Sequence, residues 1–142
     1  MAHMTETIYQ RAHQVFADHF PGDWVLSLHG MARAGISISD GTGQELSDEA
    51  AAVKLGRALM TTFPMEHVTS CNAWDGAVEE KHLCGGTNTQ GRYINYSTMP
   101  CTESSSMPSG RFIHLEQGSA IRAQGELVSQ SITEALESNP GL

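Results

Sequence analysis

Two predicted strands end in side chains that are suited to chemistry. Residues 111–117 follow the two-residue period of a strand, so His114 and Glu116 point to the same face. Residues 24–30 are almost wholly apolar until His29, which is typical of a buried parallel strand. Side chains at the C-terminal ends of such strands lie where α/β sheets bind their ligands. His29 is therefore a candidate metal ligand or general base, and Glu116 is a candidate catalytic carboxylate.

Both side chains also have a structural explanation. His29 could be a buried histidine that hydrogen-bonds to the backbone at the end of its strand. A buried carboxylate is costly unless it is paired or bound to a ligand, so Glu116 would then need a salt bridge with Arg111 or Arg122. In the catalytic interpretation, His114 is an orienting neighbour of Glu116.

A glycine-rich segment at residues 84–92 offers many backbone N–H donors. Such a loop could cradle an anion, with the guanidinium of Arg92 binding a carboxylate or a phosphate. No Gly-Lys-Ser/Thr motif follows, so this is not a Walker loop, and glycine-rich loops are often simple turns. The segment lies within residues 72–110, an irregular stretch whose length is typical of functional or disordered loops.

Helical and strand patterns alternate along the chain. An apolar stripe predicts a first helix, which is capped by Thr5 or Thr7 and ends near Phe20. The further helices are expected at residues 47–63 and 119–138, and the strands at residues 24–30, 35–39, 67–71, 92–96 and 111–117. Strands separated by helices predict one α/β domain over residues 1–142, a mostly parallel sheet flanked by helices in a three-layer sandwich.

Composition and charge exclude several classes of protein. The formal net charge of −8 argues against a nucleic-acid or anionic-membrane partner, which would require a basic face. No apolar run approaches the roughly 20 residues that span a bilayer. No basic-then-apolar export signal is visible at the N-terminus. The location is therefore expected to be either secreted or cytoplasmic.

The three cysteines allow two arrangements. Cys71, Cys84 and Cys101 form no Cys-x-x-Cys motif, which argues against a structural zinc knuckle. An exported protein would carry one disulfide and one thiol, whereas a cytoplasmic protein would carry three thiols. Their position in the loop-rich middle of the chain favours a bridge, but the pairing stays open.

Taken together, these segments resemble the phage poly-γ-glutamate hydrolase family, which has a zinc-carboxypeptidase-like fold. Residues 25–30 are similar to the apolar strand of that family that ends in His-Gly, and residues 110–116 resemble its Gly-Lys-Gly-Val-Gln-Leu-Glu strand. The predicted helix at residues 47–63 matches the helix between them. The Gly-Thr-Asn at residues 86–88 and the trailing Arg92 are similar to a further family segment, and Arg122 suits a downstream arginine; the match spans residues 24–122.

The resemblance implies a zinc-carboxypeptidase/phosphorylase-hydrolase-like fold and a role for each matched residue. His29 would be a zinc ligand, and Glu116 would be the general base that takes a proton from the attacking water. Asn88 and Arg92 would bind substrate, with Arg92 as the clamp for a carboxylate. The reaction would be hydrolysis of an amide bond near a carboxylate, such as a γ-glutamyl or peptide link, in a bacterial or phage protein. His114 falls where the family often has glutamine, so it is not counted as a ligand.

The resemblance also predicts that the site is incomplete. The family takes a further His and an acid from a motif near the start of its domain, but only residues 1–23 precede the first strand here, and they predict a helix. The chain is therefore expected to be the C-terminal part of a larger hydrolase, or to complete its site with another chain, as in a homo-oligomer, or to have lost catalysis.

Two further alternatives remain for the substrate and for the function. The acidic charge would slow encounter with a polyanion, so a small peptide or an acyl-amino acid is an equally suitable substrate. A non-catalytic binding module would instead use residues 72–110 to hold an anionic ligand or a partner chain, with Glu116 in a structural role.

Overall fold

The computed structural model describes residues 6–137 as an α/β fold with a five-stranded sheet flanked by helices. The helices are α1 (Ile8–His19), α2 (Ala51–Thr62), α3 (Thr89–Ile94), α4 (Ser119–Arg122) and α5 (Gly125–Glu137). The strands are β1 (Val25–Gly30), β2 (Ile36–Ser39), β3 (Val68–Ser70), β4 (Val78–Glu79) and β5 (Phe112–Gln117). The predicted α/β class is therefore confirmed.

The last strand of the chain, β5, lies between the first two in the order β1-β5-β2-β3-β4. The pairings β1–β5, β2–β3 and β3–β4 are parallel, and β2–β5 is antiparallel, so the sheet is mostly parallel as predicted. The connection between β1 and β2 passes around the end of β5, where the N–H of Met31 donates to the carbonyl of Gln117 at 2.9 Å. The insertion of β5 makes His29 the register neighbour of Glu116.

One face of the sheet forms the main hydrophobic core. Ile36 and Ile38 on β2 and Ile113 and Leu115 on β5 form one cluster with apolar residues of α2 and α5. Full burial of an aliphatic side chain of this size stabilises a fold by about 1.5–3 kcal/mol. The apolar contributions of the helices come from Val53, Leu55, Leu59, Val128 and Ala135.

The opposite face is polar where β1, β5 and β2 meet. Side-chain alternation and the strand register give it Ser27, His29, His114, Glu116, Ser37 and Ser39. Near the start of β5, residues of α1 and α3 pack on Phe112 and form a second, smaller core. Near the ends of β1 and β5, the loop of residues 80–88 covers the face, and the hydroxyl of Ser39 donates to the carbonyl of Cys84 at 2.6 Å.

This covering loop is tied to the sheet by a disulfide and by a buried carboxylate. Cys71, next to the end of β3, is bonded to Cys84 with a Cα–Cα distance of 5.2 Å, which establishes the arrangement with one disulfide; Cys101 is exposed and lies outside it. The carboxylate of Glu80 accepts hydrogen bonds from the N–H groups of Lys81 and His82 at 2.8 and 2.9 Å and pairs with an arginine, Arg33.

The strand predicted at residues 92–96 is wrong, because the chain there ends helix α3. Asn88 caps that helix: its Oδ1 accepts hydrogen bonds from the N–H groups of Gln90 and Gly91 at 3.0 and 3.1 Å. The cap decides the local structure against the strand preference of Tyr and Ile. Ile94 is then buried in the smaller core.

Other differences concern element boundaries. Helix α2 begins at Ala51 rather than at residue 47, the last predicted helix is divided into α4 and α5, and the two-residue strand β4 was not expected. Thr7 caps α1, because its Oγ1 accepts from the N–H of Gln10 at 3.1 Å, while Thr5 and residue 138 lie outside the described residues. No helix within residues 6–137 is long and apolar enough to cross a membrane.

Removing the disulfide is expected to destabilise the protein. The double variant Cys71→Ala/Cys84→Ala opens a covalent loop with a sequence separation of 13 residues, so its free energy of unfolding should fall by about 3 kcal/mol in urea titrations. Cys101→Ser is the matched control, since it lies outside the bridge, and should change that free energy by less than about 0.5 kcal/mol. Equal midpoints for the double variant and the wild type would contradict the structural role of the bridge.

Candidate metal centre

Parallel pairing of β1 with β5 brings the two predicted strand ends together. His29 is the register partner of Glu116, and His114 lies two residues earlier on β5, on the same face. The imidazole centroids of His29 and His114 are 4.8 Å apart, and Nε2 of His114 is 3.8 Å from Oε1 of Glu116. One ligand atom from each of the three side chains lies within 4.8 Å of the other two. The three side chains therefore form a single cluster that could hold a metal ion.

The cluster lines a cleft of about 220 Å³. Its floor consists of the three side chains from β1 and β5, and its wall comes from the covering loop. The loop residues that line it are His82, Leu83, Gly85, Thr87 and Asn88. The disulfide and Glu80, which fix this loop, therefore also determine the shape of the cleft.

His114 is the most enclosed member of the cluster, with 5% of its surface exposed. Gly85 lies directly on its ring: a Cβ at this position would be 2.7 Å from the imidazole Cγ, and the φ angle of +66° also favours glycine. Nδ1 of His114 has no hydrogen-bond partner of normal geometry in the described part of the chain. The loop therefore shields one side of this imidazole from solvent.

Burial lowers the pKa of His114 to about 4, with a further contribution from the neighbouring His29 imidazole and a partial offset from the Leu83 carbonyl. The cationic form of His114 is therefore disfavoured at neutral pH. A neutral imidazole can act as a metal ligand, but it cannot form a salt bridge with Glu116.

Glu116 is largely buried and, within the described residues, forms no ion pair with a lysine or an arginine. Its side chain is 12% exposed, and within residues 6–137 its carboxylate lies within 4 Å of no Lys or Arg nitrogen. The salt bridges considered for it do not form: Arg122 donates to the carbonyl of Gln117 at 2.9 Å, and Arg111 donates to the carbonyls of Phe20 and Asp23 at 2.7 and 2.9 Å. The carboxyl group is thus left next to two imidazoles, without the cation that usually accompanies a buried carboxylate.

The two predicted substrate-binding residues lie in different environments. Asn88 lines the cleft, but its Oδ1 caps α3 and its Nδ2 donates to Oγ of Ser27 at 3.1 Å. The guanidinium of Arg92 donates to the Gly86 carbonyl at 2.8 Å and to Oγ of Ser104 at 3.2 Å, and it is not among the residues lining the cleft. The structure brings His29, Glu116 and Asn88 together around the cleft and leaves Arg92 as a tie within the loop.

Sequence reasoning missed two histidines of the cleft. His114 was set aside because the family resemblance has glutamine there, although the strand period had already given it the same face as Glu116. His82 is exposed on the covering loop. The disulfide and the hydrogen bond from Ser39 to the Cys84 carbonyl hold this loop on the sheet, and no local sequence pattern reveals such long-range ties.

Comparisons of this chain with protein-family models, with curated proteins and with solved structures found no match.

The depressed pKa of His114 predicts a loss of stability in acid for the metal-free protein. The unfolded chain takes up a proton on this imidazole near pH 6.5, whereas the native protein does so only near pH 4. The free energy of unfolding is therefore unaffected by His114 above pH 6.5, and it falls by about 3 kcal/mol as the pH drops through that window.

Urea unfolding with a chelator at pH 7 and pH 4.5 measures this effect. Other groups also titrate in this range, so the relevant quantity is the difference between the wild type and His114→Gln, which cannot take up that proton. The variant should lose less stability than the wild type between the two pH values. Identical losses would contradict the buried, neutral imidazole.

Proposed function

We propose that this domain is a zinc-dependent hydrolase of amide bonds, with its centre formed by His29, His114 and Glu116. The observation that carries the proposal is the largely buried carboxyl group of Glu116, which has two imidazoles beside it and, within residues 6–137, no Lys or Arg nitrogen within 4 Å. A divalent cation bound between the three side chains would supply the missing positive charge.

The donor set fits zinc. Catalytic zinc sites use three protein ligands of the imidazole and carboxylate type and leave a fourth position open, and two His and one Glu is one of the established combinations. Ligands must be deprotonated, and the low pKa of His114 meets this condition at neutral pH. In this proposal His114 provides a ligand of the kind that the family resemblance places in a segment upstream of residue 24.

Zinc in such a site lowers the pKa of a bound water to about 7 and polarises a substrate carbonyl. The side chains of His29, His114 and Glu116 would hold the ion at the cleft. The covering loop would exclude bulk water on its side of the cleft. For Glu116 the geometry favours a ligand role, whereas the family resemblance implies a general base, and the two roles have different experimental consequences.

The size of the cleft supports a small substrate or the end of a longer one. Its volume of about 220 Å³ is below the roughly 300–1,000 Å³ of usual small-molecule pockets, so only the scissile amide and a flanking group would enter. The formal charge of −8 also disfavours a long polyanion. The proposed target, a γ-glutamyl or peptide-like bond near a carboxylate, is the one that the family resemblance implies; its expected carboxylate clamp, Arg92, lies outside the cleft. The finer assignment to a carboxypeptidase-like fold is part of this proposal. It is supported by the position of His29 and Glu116 at the ends of two parallel strands.

The alternative of an anion-binding module has less support. Its main candidate contact, Arg92, donates hydrogen bonds within the loop, and the amide oxygen of Asn88 is engaged in capping α3. A chain that binds no metal but still binds a small carboxylate would restore that alternative.

Zinc binding is the first expected outcome. Protein treated with a chelator and then dialysed should take up one zinc ion per chain, measured by competition with a chromophoric chelator. His29→Ala and His114→Ala should each weaken binding by at least about tenfold, because each removes a ligand. His67→Ala is the matched control, because His67 is exposed and outside the cleft, and it should bind zinc like the wild type. Failure of the wild type to bind zinc would contradict the proposal.

Glu116→Gln separates the two roles of the carboxylate. The variant should lose zinc affinity together with zinc-dependent hydrolysis of γ-glutamyl dipeptides and N-acyl amino acids, as expected for a ligand. Retained zinc with hydrolysis reduced by about 10²–10⁴-fold would instead identify Glu116 as the general base. Unchanged hydrolysis in the variant would remove Glu116 from the mechanism and overturn the proposed centre.

A further inference from the structure

A hydrogen-bonded chain leads from helix α3 to the candidate metal centre. Ser27 lies two residues before His29 on β1, opposite His114 of β5. Its Oγ is 2.9 Å from Nε2 of His29 and 3.1 Å from Nδ2 of Asn88. Neither Ser27 nor the amide of Asn88 is needed as a metal ligand, so the chain has a different role.

The orientation of the Asn88 amide is determined by the helix that it caps. Its Oδ1 accepts hydrogen bonds from the backbone N–H groups of Gln90 and Gly91, which can only donate. The NH₂ group therefore faces Ser27 and must donate to it. Because Asn88 is 4% exposed, water cannot easily replace this contact.

Ser27 can then accept one more hydrogen bond. A hydroxyl oxygen has two lone pairs, and Asn88 occupies one of them. A metal-binding imidazole is neutral and carries its proton on the nitrogen that does not bind the metal. An O–H group and a ring nitrogen 2.9 Å apart can bond in either direction, depending on the tautomer of His29. Because Nε2 faces the hydroxyl of Ser27, metal binding through Nδ1 would leave the proton on Nε2 and make Ser27 its acceptor.

We propose that Ser27, held by Asn88, is a positioning residue that fixes the ring of His29, accepts its Nε2–H and leaves Nδ1 for the metal. The inference rests on the proposed metal centre. It adds the identity of the ligand atom and the side chains that select it. Partners of this kind typically change metal affinity by 10–100-fold when they are removed.

The first test measures zinc affinity by chelator competition. Ser27→Ala should weaken zinc binding by about 10–100-fold, and Ser27→Thr, which keeps the hydroxyl, should restore it to within about threefold. The matched control is Ser131→Ala, which removes a buried hydroxyl that bonds to Thr62 outside the cleft. It should bind zinc like the wild type. Equal affinities for Ser27→Ala and the wild type would overturn the proposal.

The second test identifies the ligand atom directly. Nitrogen-15 NMR of the imidazoles should give zinc-bound His29 a metal-bound Nδ1 and a protonated Nε2. A metal-bound Nε2 would overturn the assignment. Loss of packing around His29 would not exchange the metal-bound and the protonated nitrogen, so this spectrum distinguishes the proposed positioning role from a purely structural one.

The metal-free spectrum separates this inference from the proposed function. If the wild type binds no zinc, the proposed centre has failed, and the His29 resonances still test the hydrogen-bonded chain. The Nε2 resonance should then shift between the wild type and Ser27→Ala, and it should remain in place in Ser131→Ala. Unchanged resonances in Ser27→Ala would show that Ser27 does not hold the ring.

Discussion

The pairing of β1 with β5 is the interaction on which the rest of the structure depends. It joins the first strand to the last across most of the chain and aligns six residue pairs, from Val25 with Phe112 to Gly30 with Gln117. One side of this pair contributes Ile113 and Leu115 to the main core, and the other presents the imidazoles and the carboxyl group. The same ladder of hydrogen bonds therefore supports both the stability of the fold and the geometry of the cleft.

The cleft is also shaped by long-range ties on its loop side. The disulfide, the Glu80 contacts and the Ser39 hydrogen bond hold a loop of irregular backbone over a polar strip of sheet. This arrangement reverses the usual distribution, since the interior beneath the loop holds His114 and Ser39 rather than aliphatic side chains. The hydroxyl of Ser39 is satisfied there by the Cys84 carbonyl, whereas burial of the His114 imidazole is costly because its Nδ1 has no hydrogen-bond partner of normal geometry within the described residues.

Local patterns predicted the parts of the fold that local physics decides. The strands at residues 24–30 and 111–117 agree with β1 and β5 to within one residue at each end, because a buried apolar run and a two-residue alternation are visible in the sequence itself. The helix at residues 89–94 was missed because a single capping side chain, Asn88, outweighed a run of strand-forming residues. A short element of this kind has too few residues to show a period.

The candidate site was predicted only in part for a related reason. His29 and Glu116 stand at the ends of recognisable strands, but the absence of a basic partner for Glu116 depends on where Arg111 and Arg122 direct their guanidinium groups. The guanidinium of Arg111 donates to the carbonyl of Phe20, which is distant in sequence. The guanidinium of Arg122 donates to the carbonyl of Gln117, five residues earlier. The pairing of Cys71 with Cys84, chosen among three cysteines, likewise depends on the assembled sheet.

The position of β1 at one edge of the sheet affects how precisely His29 is placed in the candidate centre. Within the described residues, β1 pairs with β5 alone, and its outer border is an edge of the sheet with Leu28 54% exposed. An edge strand leaves one row of backbone groups unpaired, and local opening can cost less free energy than global unfolding. The imidazole of His29 is thus carried by an edge strand of the sheet. The precision with which the His29 side chain is positioned is therefore reported by amide hydrogen exchange in β1 rather than by the melting temperature of the whole domain.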